Sequence, residues 1–128
     1  MKRITVNKIA SVTRNLHLRE QVVLGSEIPA VAGTVVACRV LTNKTTYTKL
    51  EDVHGRQLEL RSGDLIIGAL GDRHALHGFS GRIPAQVRVG DTLQLLNMGG
   101  VIGAGAEAVP GLGPPHELEV LGTVLSFP

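Results

Sequence analysis

Two segments of this 128-residue chain repeat one another. Leu60-Arg61-Ser62-Gly63-Asp64-Leu65-Ile66 and Val87-Arg88-Val89-Gly90-Asp91-Thr92-Leu93 both follow the pattern apolar-Arg-x-Gly-Asp-x-apolar. Glycine supplies the backbone angles that a tight turn requires. The aspartate carboxylate accepts backbone N–H groups and closes that turn. The apolar residues that follow then enter a strand. Gly63, Asp64, Gly90 and Asp91 are therefore read as structural turn residues, and the repetition points to a duplicated strand-turn-strand unit.

The rest of the chain agrees with a strand-rich fold. Val, Leu and Ile dominate the apolar residues, against two Phe, one Tyr and no Trp, while 16 Gly and 6 Pro supply turns. Branched aliphatic residues suit pleated, half-buried surfaces, so the composition predicts an all-β domain with an aliphatic core. Residues 34–42 and 47–53 read as strands joined into a hairpin by Asn43-Lys44-Thr45-Thr46. His54-Gly55 reads as a turn, and residues 56–60 alternate, with Leu58 and Leu60 facing inward. Residues 65–70 are apolar on both faces and are expected to be the most buried strand. Val87, Val89, Leu93 and Leu95 show period two, and residues 117–126 read as a final strand with Leu118, Val120, Val124 and Leu125 in the core. Residues 4–6 alternate as a strand, residues 7–18 read as irregular or briefly helical, and 21–24 as a short strand. The Gly/Pro/Ala-rich segment 99–116 reads as a long loop or flap.

A single cysteine, Cys38, excludes an internal disulfide and a multi-cysteine zinc site within one chain. It lies in an apolar run and reads as a small buried hydrophobe. The opening Met1-Lys2-Arg3-Ile4-Thr5 lacks the apolar core of a signal peptide, and no apolar stretch reaches the ~18 residues of a membrane span. A cytoplasmic location is the expectation. Lys2, Arg3, Lys8, Arg14 and Arg19 make the first twenty residues basic, although the formal net charge is only +2. With almost no aromatic residues to stack bases, a solvated basic face is favoured over nucleic-acid binding.

The stretch Arg82-Ile83-Pro84-Ala85-Gln86-Val87-Arg88-Val89-Gly90-Asp91-Thr92-Leu93 resembles the proline-containing turn and Gly-Asp box of cradle-loop barrels, of the swapped-hairpin or double-psi type. The likeness covers about a quarter of the chain. More faintly, the run from Gly63-Asp64 through Arg73, Gly78 and Pro84 to Gly99-Gly100 is similar to the N-terminal barrel domain of two-domain proteins whose second half is a P-loop nucleotide-binding domain. This chain has no P-loop, so no ATP chemistry carries over. The resulting expectation is one barrel domain over residues 1–128, small and closed or partly open, with six to eight strands and a short helical turn near Pro84. The final Phe127-Pro128 after a strand fits a domain of a longer protein.

The densest polar cluster is Gly71-Asp72-Arg73-His74-Ala75-Leu76-His77-Gly78. Arginine presented from a loop suits phosphate or carboxylate, and histidine can move a proton. The structural alternative is a polar connection in which Asp72 and Arg73 pair with each other. His74 and His77 are three residues apart, but a metal site would need further ligands such as His54 or Asp72, and none is assigned. Gly99 and Gly100 open a glycine-rich run that is similar to phosphate-cradling loops but lacks their spacings and their terminal Lys-Ser or Lys-Thr. Ser80 lies in Gly-Phe-Ser-Gly, which is not a nucleophile elbow. Asp72, Arg73, His74, His77, Gly99 and Gly100 are thus the ligand-binding candidates, with no catalytic residue and no cofactor assigned.

The function expected is a non-catalytic barrel module, accessory or binding a small anionic ligand, acting with a partner domain or as a homo-oligomer and belonging to a larger nucleotide-binding protein. One alternative is a small enzyme or nucleotide-related site centred on residues 72–77. A second is nucleic-acid binding through the basic N-terminal stretch.

Overall fold

A computed structural model of the chain describes residues 2–125. Ten strands are present: β1 (Lys2–Thr5), β2 (Lys8–Ile9), β3 (Gln21–Gly25), β4 (Val35–Val40), β5 (Lys49–Glu51), β6 (Gln57–Glu59), β7 (Leu65–Leu70), β8 (Thr92–Leu95), β9 (Val101–Gly103) and β10 (Glu117–Leu125). Eight belong to one mixed sheet, and five of these close into a barrel in the order β10, β4, β7, β9, β8 and back to β10. The β7–β9 pairing is parallel and the other four barrel pairings are antiparallel. β1 and β3 extend the sheet beyond β10, and β2 adds to β7. The all-β barrel expected from composition and resemblance is present, its closure confined to five strands.

The core follows from strand alternation. Cys38, Val40, Ile66, Leu93, Leu95, Leu118 and Val120 point inward and fill the barrel. Their neighbours Ala37 and Ile67 point outward, where Val6, Val22 and Leu24 cover them as a second apolar layer. Burying each large aliphatic side chain contributes roughly 1.5–3 kcal/mol, so the two layers fix strand register. β7 is buried at every position after Leu65, as its two-sided apolar pattern predicts.

The two Gly-Asp boxes occupy equivalent places. Gly63 and Gly90 have φ of 96° and 92°, which side chains rarely tolerate. The Arg61 N–H donates to Asp64 Oδ2 at 2.9 Å and the Arg88 N–H to Asp91 Oδ2 at 2.8 Å. The first box brackets Val40 of β4: Gly63 N–H donates to Val40 O and Val40 N–H to Asp64 O. The second brackets Val120 of β10 in the same way, through Gly90 N–H and Asp91 O. Strand register continues the match. Arg39, Cys38 and Ala37 oppose Leu65, Ile66 and Ile67, as Glu119, Leu118 and Glu117 oppose Thr92, Leu93 and Gln94. The β4–β7 and β10–β8 pairs are therefore two copies of one unit, related by an approximate two-fold axis at Arg39 and Glu119.

Several expectations change. β4 does not form a hairpin with β5. β4 pairs with β7 and β10, and β5 pairs instead with β6 across the His54-Gly55 turn. The long apolar β4 gains more from burial in the barrel than from a local partner. Near Pro84 the described backbone has no helical turn. The short 3-10 helix lies at Ser11–Leu16, within the segment read as irregular or briefly helical. The start of the expected flap is a barrel strand, β9, so the loop is confined to the residues after it. Val89 is half exposed because it sits in the Gly90-Asp91 turn. The expected strand end at Ser126 and the closing Phe127-Pro128 lie outside the described residues, as does Met1. Among the described residues no helix is long and apolar enough to cross a membrane.

Candidate functional site

A cavity of about 790 Å³ opens where the connection after β7 meets the end of β9. Asp72, Arg73, His74, Ser80, Gly81, Arg82, Ile83, Pro84, Ala104 and Gly105 line it. Two short backbone pairings hold its walls. Arg73 and Gly81 exchange N–H···O bonds of 2.9 Å each, and Arg82 exchanges bonds of 2.9 and 2.8 Å with Ala104. The loop between the first pair is closed by Ser80, whose Oγ accepts the Ala75 N–H at 2.9 Å. Phe79 is buried at its base, 5.7 Å from Tyr47 between ring centroids, with Lys44 Nζ 5.4 Å above its ring.

The polar side chains divide by role. Arg73 is a staple: its Nη1 donates to Phe79 O at 3.0 Å and to Leu96 O at 2.9 Å. It does not pair with Asp72, as the structural alternative required. Asp72 accepts the Ile83 N–H on Oδ1 at 2.8 Å, which leaves Oδ2 open. Arg82 and His74 are exposed, and among the described residues neither side chain takes part in an ion pair. Two basic groups thus line the cavity without a partner of their own. Ser80 Oγ is engaged with the Ala75 backbone rather than with a base, so no nucleophile is assembled here.

Of the candidate residues, the fold brings Asp72, Arg73 and His74 together. His77 is exposed on the same loop but does not line the cavity. Gly99 and Gly100 lie elsewhere, packed on the helical segment: Gly99 O accepts the Val12 N–H, and a Cβ on Gly100 would overlap that of Ala10. That is close backbone packing on the segment before and within the 3-10 helix. Gly63, Asp64, Gly90 and Asp91 act in turns. His54 lines a separate cleft of about 290 Å³ with Lys8, Arg19, Glu20, Asp52 and Arg56. Among the described residues no group of three or more His, Cys, Asp or Glu is placed to hold a metal ion.

Two of the basic N-terminal side chains have partners within the chain. Lys8 Nζ is 2.5 Å from Asp64 Oδ2, and Arg14 leans back on Ser11 O. Cys38 is fully buried, and burial, reinforced by the nearby Glu119 charge, pushes its thiol up to about 12.

Arg82 is the charged residue of the cavity lining that the sequence does not single out for binding. It enters the wall through its bridge to Ala104, a non-local pairing with no local mark in the sequence. Lys44 and His116 were also missed. Lys44 Nζ donates to Leu112 O and Pro114 O, tying the loop after β9 to the 43–48 connection. Comparison with protein-family models, curated proteins and solved structures finds no match for the chain.

Proposed function

We propose that this chain is a non-catalytic ligand-binding barrel module whose cavity takes a small anionic ligand. One observation carries this reading: Arg82 and His74 line a concave site beside the stapled Arg73 guanidinium, and neither is engaged in an ion pair within the described chain. Guanidinium and imidazole donors in an open cleft favour phosphate or carboxylate oxygens. The duplicated Gly-Asp unit supports assignment to the cradle-loop barrels. The separate likeness running from Gly63-Asp64 to Gly99-Gly100 supports a role as the accessory half of a larger nucleotide-binding protein, acting with a partner domain or as an oligomer.

Titration of the chain with inorganic phosphate, followed by amide NMR shifts, tests the site. Signals of His74, Ser80, Arg82 and Gly105 are expected to move, and those of Arg19 and Arg56 in the second cleft to stay. Arg82→Ala is expected to weaken binding about tenfold or more, the scale of one charge-assisted hydrogen bond. Unmoved signals around the cavity at millimolar phosphate refute the proposal.

A further inference from the structure

A carboxylate lies in the same cavity as the two unpaired bases, and a site built for a bare anion has no use for it. Asp72 is not neutralised: among the described residues no Lys, Arg or His nitrogen forms an ion pair with it. It is nonetheless held in place, because the Ile83 N–H fixes Oδ1 at 2.8 Å and the Arg73–Gly81 bridge anchors its neighbour. An ionised carboxylate offers about four lone-pair sites, so a fixed Asp72 keeps most of its accepting capacity for a ligand. A ligand that were anion alone would meet its repulsion with no return.

The space points the same way. About 790 Å³ falls in the range of roughly 300–1,000 Å³ that holds whole small molecules rather than single ions. Ile83, Pro84 and Ala104 give one wall that offers no side-chain hydrogen bond, suited to the C–H face of a ring or chain. The group that meets Asp72 must donate hydrogen bonds. An ammonium would share the cavity with the Arg73 guanidinium, which no carboxylate pairs among the described residues. Neutral hydroxyls donate to the carboxylate without that penalty.

Resting on the anion site proposed above, we infer that the ligand is a phosphorylated polyol, its phosphate on Arg82 and His74 and its hydroxyls on Asp72. Calorimetric titration of the chain with inorganic phosphate, ribose 5-phosphate, glucose 6-phosphate and unphosphorylated ribose tests this. At least one sugar phosphate is expected to bind ten times or more tighter than phosphate, and ribose alone at least ten times more weakly than that sugar phosphate. Asp72→Asn keeps an oxygen for the Ile83 N–H but removes the charge. It is expected to erase most of the sugar-phosphate advantage while leaving phosphate binding equal or tighter. Arg82→Ala weakens phosphate and sugar phosphate together.

If phosphate binds and neither sugar phosphate gains over it, or if Asp72→Asn leaves a gain intact, the inference is overturned and the anion site stands. If neither phosphate nor sugar phosphate binds, the anion site itself falls. Should Asp72→Asn fail to fold, the wild-type comparison of phosphate with sugar phosphates decides by itself.

Discussion

Arg39 and Glu119 face each other across the β4–β10 pairing, Nη1 to Oε1 at 2.7 Å, and each holds the same position relative to its own Gly-Asp box. They mark the approximate two-fold axis that relates the β4–β7 and β10–β8 pairs. The pair is partly exposed, at 46% and 34% for the two side chains, so solvent screens it. Arg39→Ala or Glu119→Ala is expected to cost under about 1 kcal/mol in urea unfolding, and less at high salt. Because the axis makes the two positions equivalent, the double reversal Arg39→Glu/Glu119→Arg should recover most of what either single reversal loses. A double reversal no better than the singles would contradict that equivalence.

The equivalence of the boxes has a limit that mutation can expose. Asp64 and Asp91 close their turns alike, but Asp64 also holds Lys8 and thereby docks β2 on β7. Burial pushes the Asp64 carboxyl up, yet Lys8 and the Arg61 N–H together bring it below the usual carboxylate value. Asp91→Ala is expected to cost about 1 kcal/mol and Asp64→Ala about 2 kcal/mol, read from denaturant midpoints. The excess should disappear when Lys8 is already Met. With its folded value depressed, Asp64 stabilises fully above the unfolded carboxylate value near ~4 and loses that contribution as pH falls through the folded one.

What the sequence disclosed and what it hid follow from the range of the interactions. The Gly-Asp turns were legible because their hydrogen bonds span three residues, from Arg61 to Asp64 and from Arg88 to Asp91. β7 was legible because its pattern is apolar on both faces. The partner of β4 was not, because pairing with β7 and β10 is non-local and leaves no mark in the 43–46 link. At the site, Asp72, Arg73 and His74 were visible as a local polar cluster. Arg82 and Ala104 enter only through the bridge between them. The division of labour was hidden for the same reason: Arg73 reaches Leu96, 23 residues away.

That division predicts different fates for neighbouring residues. Arg73→Ala removes the donor shared by Phe79 O and Leu96 O and unpins the loop over Phe79, which should cost about 2 kcal/mol. His74→Ala and His77→Ala alter exposed side chains and should stay within about 0.5 kcal/mol. Thermal unfolding of the three variants distinguishes the roles. Equal losses at all three positions would mean that the loop is one structural network.

Cys38 supplies a test of the core. With the thiol pushed up to about 12 and no exposed surface, it is expected to resist a disulfide reagent in the folded protein at neutral pH and to react fully in denaturant. Glu119→Gln should leave it resistant, since burial is the larger cause and Glu119 the smaller. Rapid modification of the native chain would show that the barrel opens locally at β4.

His116 ties the entrance of β10 to the end of β4 and makes stability depend on pH in its own window. It is buried, with Nδ1 3.0 Å from Thr42 Oγ1. Thr42 Oγ1 also accepts the Glu117 N–H, so one hydroxyl joins the ring to the start of β10. Nε2 has no partner among the described residues. Burial, and then the Lys44 charge, push the imidazolium form below its ordinary range, while the Thr42 contact pulls weakly the other way. The folded state therefore keeps His116 neutral at a pH where the unfolded chain takes up a proton. Stability is full above the unfolded value near ~6.5 and declines as pH falls below it, by at most about 1.4 kcal/mol per pH unit. The decline stops once the lower folded value is passed. Asp64 acts only at more acid pH, so the two contributions separate. His116→Asn, whose amide can either accept from or donate to Thr42 but does not titrate, is expected to flatten unfolding free energy between pH 6.5 and 5 relative to wild type. An unchanged slope in that variant would assign the dependence to another group.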